Sequence, residues 1–162
     1  MTRTSVLVRA LHAGDEPAWR RLWAAYLDFY QAAIASNATE HTLRRILDPA
    51  NPMFGRIAER EGAAAGFAIC VVHEGTWSVR PTCYLEDLFV DPGARSSGVG
   101  RALLDDLVAL GAERGWTSIY WHTRADNVQA RRLYDRYVTA GDFLRYRLAI
   151  QPRQPNRSGS SN

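Results

Sequence analysis

The run Arg95-Ser96-Ser97-Gly98-Val99-Gly100-Arg101 has the composition of an anion cradle. It follows an apolar segment, Leu88-Phe89-Val90, and a turn, Asp91-Pro92-Gly93-Ala94, and it opens a helical pattern. A strand, a glycine-containing turn and a helix N-terminus direct unpaired backbone N–H groups at one point, where the helix dipole adds roughly half a positive charge. Small residues at positions 96 to 98 and at 100 let the backbone approach an anion closely, and Arg95 and Arg101 carry charge suited to phosphate oxygens. A P-loop would end in Gly-Lys-Ser/Thr, whereas Arg101-Ala102 follows Gly100; a dinucleotide fingerprint would need a third glycine where Leu103 stands. Gly98 and Gly100 alone suit an ordinary helix start equally well. Just upstream, Glu86 and Asp87 interrupt an otherwise apolar strand, where a carboxylate is costly unless it is paired or used. Strand alternation puts Glu86 on a face with Leu88 and Val90, and Asp87 with Leu85 and Phe89.

The surrounding pattern predicts the frame that must hold these groups. Val6 to Leu11 reads as a strand, and Asp15 as the cap of a helix with Pro17 in its first turn. Trp19, Leu22, Trp23, Tyr26, Leu27 and Tyr30 give that helix one apolar face. Thr39 to Leu47 predicts a second helix, followed by strands near Phe54 to Glu59, Gly66 to His73 and Cys83 to Val90. A long helix runs from about Gly98 to Arg114, then a strand from Thr117 to Thr123, a helix from Val128 to Val138 and a last strand from Phe143 to Ile150. The order is β-α-α-β-β-β-α-β-α-β, an α/β layered domain over residues 1–150. Residues 151–162 are polar and proline-containing, and are expected to be a disordered tail.

Composition narrows the function classes. The chain has 162 residues, enough for one domain with a real core. Its 20 basic residues, all arginine, against 17 acidic ones give a net charge of +3. That excess is too small, and the arginines too dispersed from Arg3 to Arg157, for a dedicated nucleic-acid binder. The absence of lysine fits codon bias, and means that no lysine of this chain can itself be acetylated. Cys70 and Cys83 with four scattered histidines make neither a disulfide framework nor a metal site. No run approaches the ~20 apolar residues of a membrane span, and no apolar leader follows Met1. The expectation is a cytoplasmic protein with no membrane, nucleic-acid or metal partner.

Arg95-x-x-Gly98-x-Gly100 after Tyr84-Leu85-Glu86-Asp87-Leu88-Phe89-Val90, followed by Asn127-x-x-Ala130-x-x-Leu133-Tyr134, resembles the GNAT family of acyl-CoA-dependent N-acetyltransferases. The nearest likeness is to its small-amine (diamine) and histone-like branches. The resemblance implies a single GNAT-like α/β domain: a central, mixed, mostly antiparallel twisted sheet with a splayed parallel strand pair and flanking helices. It implies acetyl-CoA as co-substrate, bound by Leu88, Phe89, Val90, Arg95, Ser96, Ser97, Gly98, Val99, Gly100, Arg101, Asn127 and Tyr134. A backbone N–H of the strand would polarise the thioester carbonyl. It further implies a small-molecule amine as acceptor and a homodimer. Protein lysine acetylation and a non-catalytic acyl-CoA sensor are the alternatives.

Within that resemblance Tyr134 is the candidate acid for the departing thiolate, and otherwise a plain helix-face partner of Ala130. Glu86 is the candidate base, through a water, and otherwise a salt-bridge partner of Arg80 or another arginine; Asp87 could share the role. Tyr26, Asp28, Tyr30, His73, Trp77 and Asp87 would form an amine-binding wall through cation–π and carboxylate contacts. The aromatic stripe among them is equally good core. Arg131, Arg132 and Arg136 form a solvated helix face, reach the adenosine phosphates or serve a basic interaction module, and Asp105 and Asp106 are expected to be solvated. Two departures stand out: Ser96 where the family often has Gly, and Gly141-Asp142-Phe143 where Gly-Phe is usual.

Overall fold

A computed structural model describes residues 5–151. The expected tail therefore lies, beyond residue 151, outside the described residues. Five strands form one sheet in the order β1-β2-β3-β4-β5: Val6–Ala10 (β1), Met53–Arg60 (β2), Ala63–His73 (β3), Thr82–Val90 (β4) and Ile119–Tyr120 (β5). The first four pair antiparallel, and β5 lies parallel to β4. The helices are Glu16–Phe29 (α1), Ala38–Leu47 (α2), Val99–Arg114 (α3) and Val128–Tyr134 (α4).

The sheet buries both faces, and β3 shows how. Phe67 and Ile69 pack with Trp19, Leu22 and Trp23 of α1 and Leu43 and Ile46 of α2. Ala68 and Cys70 point the other way, to Leu103, Leu104 and Leu107 of α3. This is the period-2 alternation of a strand buried on both sides. Trp19 and Phe67 are fully buried, each contributing roughly 1.5–3 kcal/mol relative to exposure. Cys70 and Cys83 are free and buried among the apolar side chains, as their composition suggests.

Four local expectations are corrected. Asp15 stands before α1 but does not cap it with its side chain. Its carboxylate takes a bidentate grip from Arg9 (2.7 Å each) and accepts the His12 N–H, so it fastens β1 to the start of α1. Asp106 is not solvated: it faces across to β2 and forms a bidentate ion pair with Arg56 at 2.7 Å. Asp105, by contrast, is exposed as expected, and accepts the Tyr137 hydroxyl at 2.6 Å.

The strand expected over Thr117–Thr123 is reduced to two residues, because β5 leaves β4 after Tyr120. The strand expected over Phe143–Ile150 does not form. Its residues lie exposed with no regular structure, and no strand among the described residues pairs with them.

Candidate functional site

Two irregularities of β4 create the site. Antiparallel pairing with β3 runs Ile69↔Asp87 and then Cys70↔Leu85, so Glu86 is an extra, bulged residue. A bulge re-aims side chains and resets the alternation. Leu85 accordingly packs in the α3-side core and Phe89 in the α1-side core. The expectation that Asp87 shares a face with both of them is thus corrected at Leu85. Parallel pairing with β5 covers only Cys83↔Ile119 and Tyr84↔Tyr120. Beyond Tyr84 the two strands part, and that edge of β4 has no strand beside it among the described residues.

The larger opening, about 920 Å³, lies in this splay. It is bounded by Leu88, Phe89 and Val90 of β4, the loop and helix start from Ala94 to Arg101, and residues of α4 and its two ends, including Asn127, Arg132, Tyr134 and Arg136. Every residue expected to bind the donor therefore lines one cleft of the size class of a cofactor site. Gly98 caps α3 in the left-handed region (φ +92°), which only glycine adopts freely. Ser96 holds a left-handed conformation too (φ +61°), at the position where the sequence departs from the family's usual glycine. Gly100 has a packing reason: a Cβ there would sit 3.0 Å from Leu133 Cδ2, pressing α3 away from α4.

Asn127 caps α4 through its side chain, which accepts the Ala130 N–H at 3.3 Å. Phe29 was not foreseen in the cleft; the Arg95 guanidinium lies 5.1 Å above its ring.

The smaller opening, about 30 Å³, has room for one or two waters. Glu86, Asp87, Tyr26, Tyr30, Leu88, Trp121, His122, Thr123 and Tyr134 surround it. Asp87 is largely buried and accepts a hydrogen bond from the Tyr26 hydroxyl. Burial pushes its carboxyl up to about 6, partly opposed by the Tyr26 bond and reinforced by the Glu86 charge. Glu86 is exposed and has neither hydrogen bond nor ion pair among the described residues, so the alternative pairing with Arg80 is not formed. Burial and the nearby Tyr30 push the Tyr134 phenol up to about 12, so it holds its proton at neutral pH. Its ring leans on Trp121 at 5.2 Å.

Three residues, Tyr30, Leu88 and Tyr134, line both openings, so the cleft and the small cavity meet at Tyr134. A carboxylate pair on one side and a protonated phenol at the junction form an acid–base arrangement. Family-level comparison settles its class: the sequence matches the model of the acetyltransferase (GNAT) family over residues 15–138. The chain belongs to the GNAT family. It is an N-acetyltransferase of the single-domain α/β type, with the five-stranded mixed sheet and flanking helices described above.

A curated relative, the D-amino-acid N-acetyltransferase HPA3 of Saccharomyces cerevisiae, is 32% identical over 149 residues, covering 91% of this chain and 92% of the relative. An aminoglycoside acetyltransferase from an uncultured soil metagenomic sample, solved with trehalose, shares the fold with a TM-score of 0.77 at 19% identity, over 90% of this chain and 97% of its own. The aminoglycoside N-acetyltransferase AAC(6')-Iy, solved in complex with CoA, has a TM-score of 0.74 at 21% identity, over 91% and 97%.

Three of the residues expected in this GNAT domain's amine wall are placed elsewhere. Asp28 is exposed on α1 and lines neither opening. Trp77, 98% exposed in the β3–β4 connection, lines neither opening, because that connection lies at the far end of β4. His73 also stands outside, with Nε2 2.9 Å from the Tyr120 hydroxyl. Trp121, His122 and Thr123 take their place, and their only sequence signal was their position at the end of the strand expected over Thr117 to Thr123. Of the three arginines expected on the last helix, Arg136 lies just beyond its end at Tyr134; Arg131 is tied to the Ala125 carbonyl at 2.9 Å, while Arg132 and Arg136 line the cleft. No helix of the described residues is long and apolar enough to cross a membrane.

Proposed function

We propose that this enzyme transfers the acetyl group of acetyl-CoA to a small primary amine by direct attack within a ternary complex. The observation that carries this reading is the meeting of the two openings at Tyr134, with Glu86 and Asp87 on the acceptor side. The donor set suits acetyl-CoA. The start of α3 offers N–H groups and dipole to the pyrophosphate, Arg95 and Arg101 flank it, and Arg132 and Arg136 add cations along the cleft. The free edge of β4 at Leu88 to Val90 offers backbone hydrogen bonds to the pantetheine amides, and one of its N–H groups polarises the carbonyl. Asn127 contacts the same arm. The bound donor supplies an activated thioester carbonyl.

On the acceptor side, Glu86 and Asp87 attract the ammonium, and Tyr26 and Tyr30 present ring faces to it. Glu86, open to water at the bulge, accepts the proton that makes the amine nucleophilic, through a water of the small cavity. Asp87, fixed by Tyr26, holds the remaining N–H. The amine nitrogen then bonds to the carbonyl carbon, the carbon–sulfur bond breaks, Tyr134 gives its proton to the departing sulfur, and the second proton shed by the new amide nitrogen restores the Tyr134 phenol. The acceptor preference for small amines is supported by the carboxylates on the acceptor side and by the relatives, whose names denote D-amino acids and aminoglycosides. The enzyme acts in the cytoplasm as a homodimer.

The test is thiol release from acetyl-CoA against a panel containing D- and L-amino acids, polyamines, aminoglycosides and a lysine peptide. Amine-dependent release with at least one small amine is expected. Cofactor binding without release on any amine would replace the enzyme reading with that of an acyl-CoA sensor. Release confined to the peptide would move the acceptor to protein lysine.

A further inference from the structure

Phe29, the last residue of α1, is a large apolar side chain that is 51% exposed. It packs into neither core cluster, whereas Ala25, Tyr26 and Leu27 of the same turns do. Its ring meets Tyr30 edge-on at 5.1 Å and lies 5.1 Å from the Arg95 guanidinium, at the wall of the donor cleft. A ring so placed adds little to folding, and its substitution leaves the body of the domain intact.

Arg95 has the complementary need. Its guanidinium makes no hydrogen bond or salt bridge among the described residues, and the next residue, Ser96, turns the backbone into the left-handed region (φ +61°). A free arginine side chain samples many rotamers, and an anion that recruits it must freeze them. The face of an aromatic ring attracts a guanidinium through its quadrupole, and so lowers that cost before the anion arrives.

The same helix holds the donor loop at a second point. Arg21, just over two turns earlier, donates to the Asp91 carboxylate at 2.6 Å and to the Ala64 carbonyl at 2.7 Å. The other Asp91 oxygen accepts the Gly93 N–H at 3.0 Å. Positions 21 and 29 lie about 12 Å apart along a helix, so α1 grips segment 91–95 at its first residue and its last.

We propose that Phe29 is a positioning residue for the donor: its ring holds the Arg95 guanidinium in the orientation that meets the donor's anionic end. It acts through Arg95 and not by touching the donor. The inference rests on the reading of the cleft as an acetyl-CoA site, and it adds a residue from α1 to a donor set drawn from β4, the loop and α4. Its size is bounded, because a ring that acts through Arg95 cannot matter more than Arg95 itself.

The experiment is a double-mutant cycle on acetyl-CoA dissociation constants, measured by calorimetry at low ionic strength with Phe29→Leu, Arg95→Ala and the double variant. Leucine keeps apolar bulk without a ring face, and Phe29→Tyr restores the face. Phe29→Leu is expected to weaken acetyl-CoA binding about threefold, the scale of an exposed cation–π contact. Arg95→Ala is expected to cost about as much, and the double variant no more than either, because the two side chains act as one unit. Phe29→Tyr is expected to bind like the parent. KM for acetyl-CoA should rise in step with the dissociation constant, and KM for the best amine should not.

Three results overturn the proposal. The first is parent-like donor affinity in Phe29→Leu. The second is a double variant weakened by about ninefold, the product of two independent losses. The third is a raised amine KM with donor affinity intact, which would tie the ring to Tyr30 instead. A parent chain that does not bind acetyl-CoA would remove the reading of the cleft itself, and the inference with it.

Discussion

The donor cleft and the acceptor cavity share β4 and Tyr134 yet are made of different materials. The cleft is largely backbone: a strand edge left bare by the splay, a helix N-terminus, and a loop whose glycine at 98 is left-handed. The cavity is made of side chains from α1, β4 and the segment after β5, aimed by one bulged residue. Backbone sites recognise what every donor of one class has in common. Side-chain sites set which amine enters and how protons move, so the two regions should respond differently to substitution and to pH.

Tyr134→Phe should separate them most sharply, lowering kcat by about 100-fold or more, in the range of a lost general acid. Acetyl-CoA affinity, measured by calorimetry, should stay within about threefold. Glu86→Gln should lower kcat/KM for the best amine by about 100-fold, again with donor affinity preserved. In the cleft the converse pattern is expected. Arg95→Ala with Arg101→Ala should weaken donor binding by about tenfold, with kcat at saturating donor nearly unchanged.

The buried carboxylate makes a pH prediction with opposite signs for activity and stability. Asp87 is raised to about 6 from an ordinary value of 3.8, so the fold prefers it protonated. Its contribution to stability is fully present below the unfolded value and is lost as pH rises through about 6. At pH 7.5, Asp87→Asn should therefore stabilise the protein, by up to about 3 kcal/mol, and the gain should vanish near pH 4 in urea titrations. Activity needs the charged form, so kcat/KM of the parent enzyme should fall as pH drops below about 6. The smallest effect is expected in the loop. Ser96→Gly relieves a left-handed serine and should raise stability by about 0.5–1 kcal/mol in thermal unfolding.

The same contrast explains what could be read before the structure. The donor loop is local: Arg95, Gly98 and Gly100 act through backbone geometry that a short stretch of chain sets by itself, and all of its expected residues line one cleft. Most helix and strand positions were legible for the same reason, through apolar periodicity. The acceptor side depends on distant events. A single extra residue at Glu86 reverses the alternation that strand logic assigns to Asp87, and nothing local in Tyr84 to Val90 announces it. Trp77 and His73 looked suitable by type but lie at the wrong end of the strands. Asp106 looked like a solvated helix charge until tertiary packing set Arg56 opposite it. The strand pattern at Phe143 to Ile150 is present in sequence, but no strand among the described residues lies beside it.

The central claim is that Tyr134, at the meeting of the two openings, protonates the leaving sulfur. Steady-state thiol release with the best small amine, measured beside the acetyl-CoA dissociation constant for the parent and Tyr134→Phe, addresses it directly. The account predicts a kcat lower by about 100-fold or more with an unchanged dissociation constant. A kcat within about twofold of the parent would contradict it.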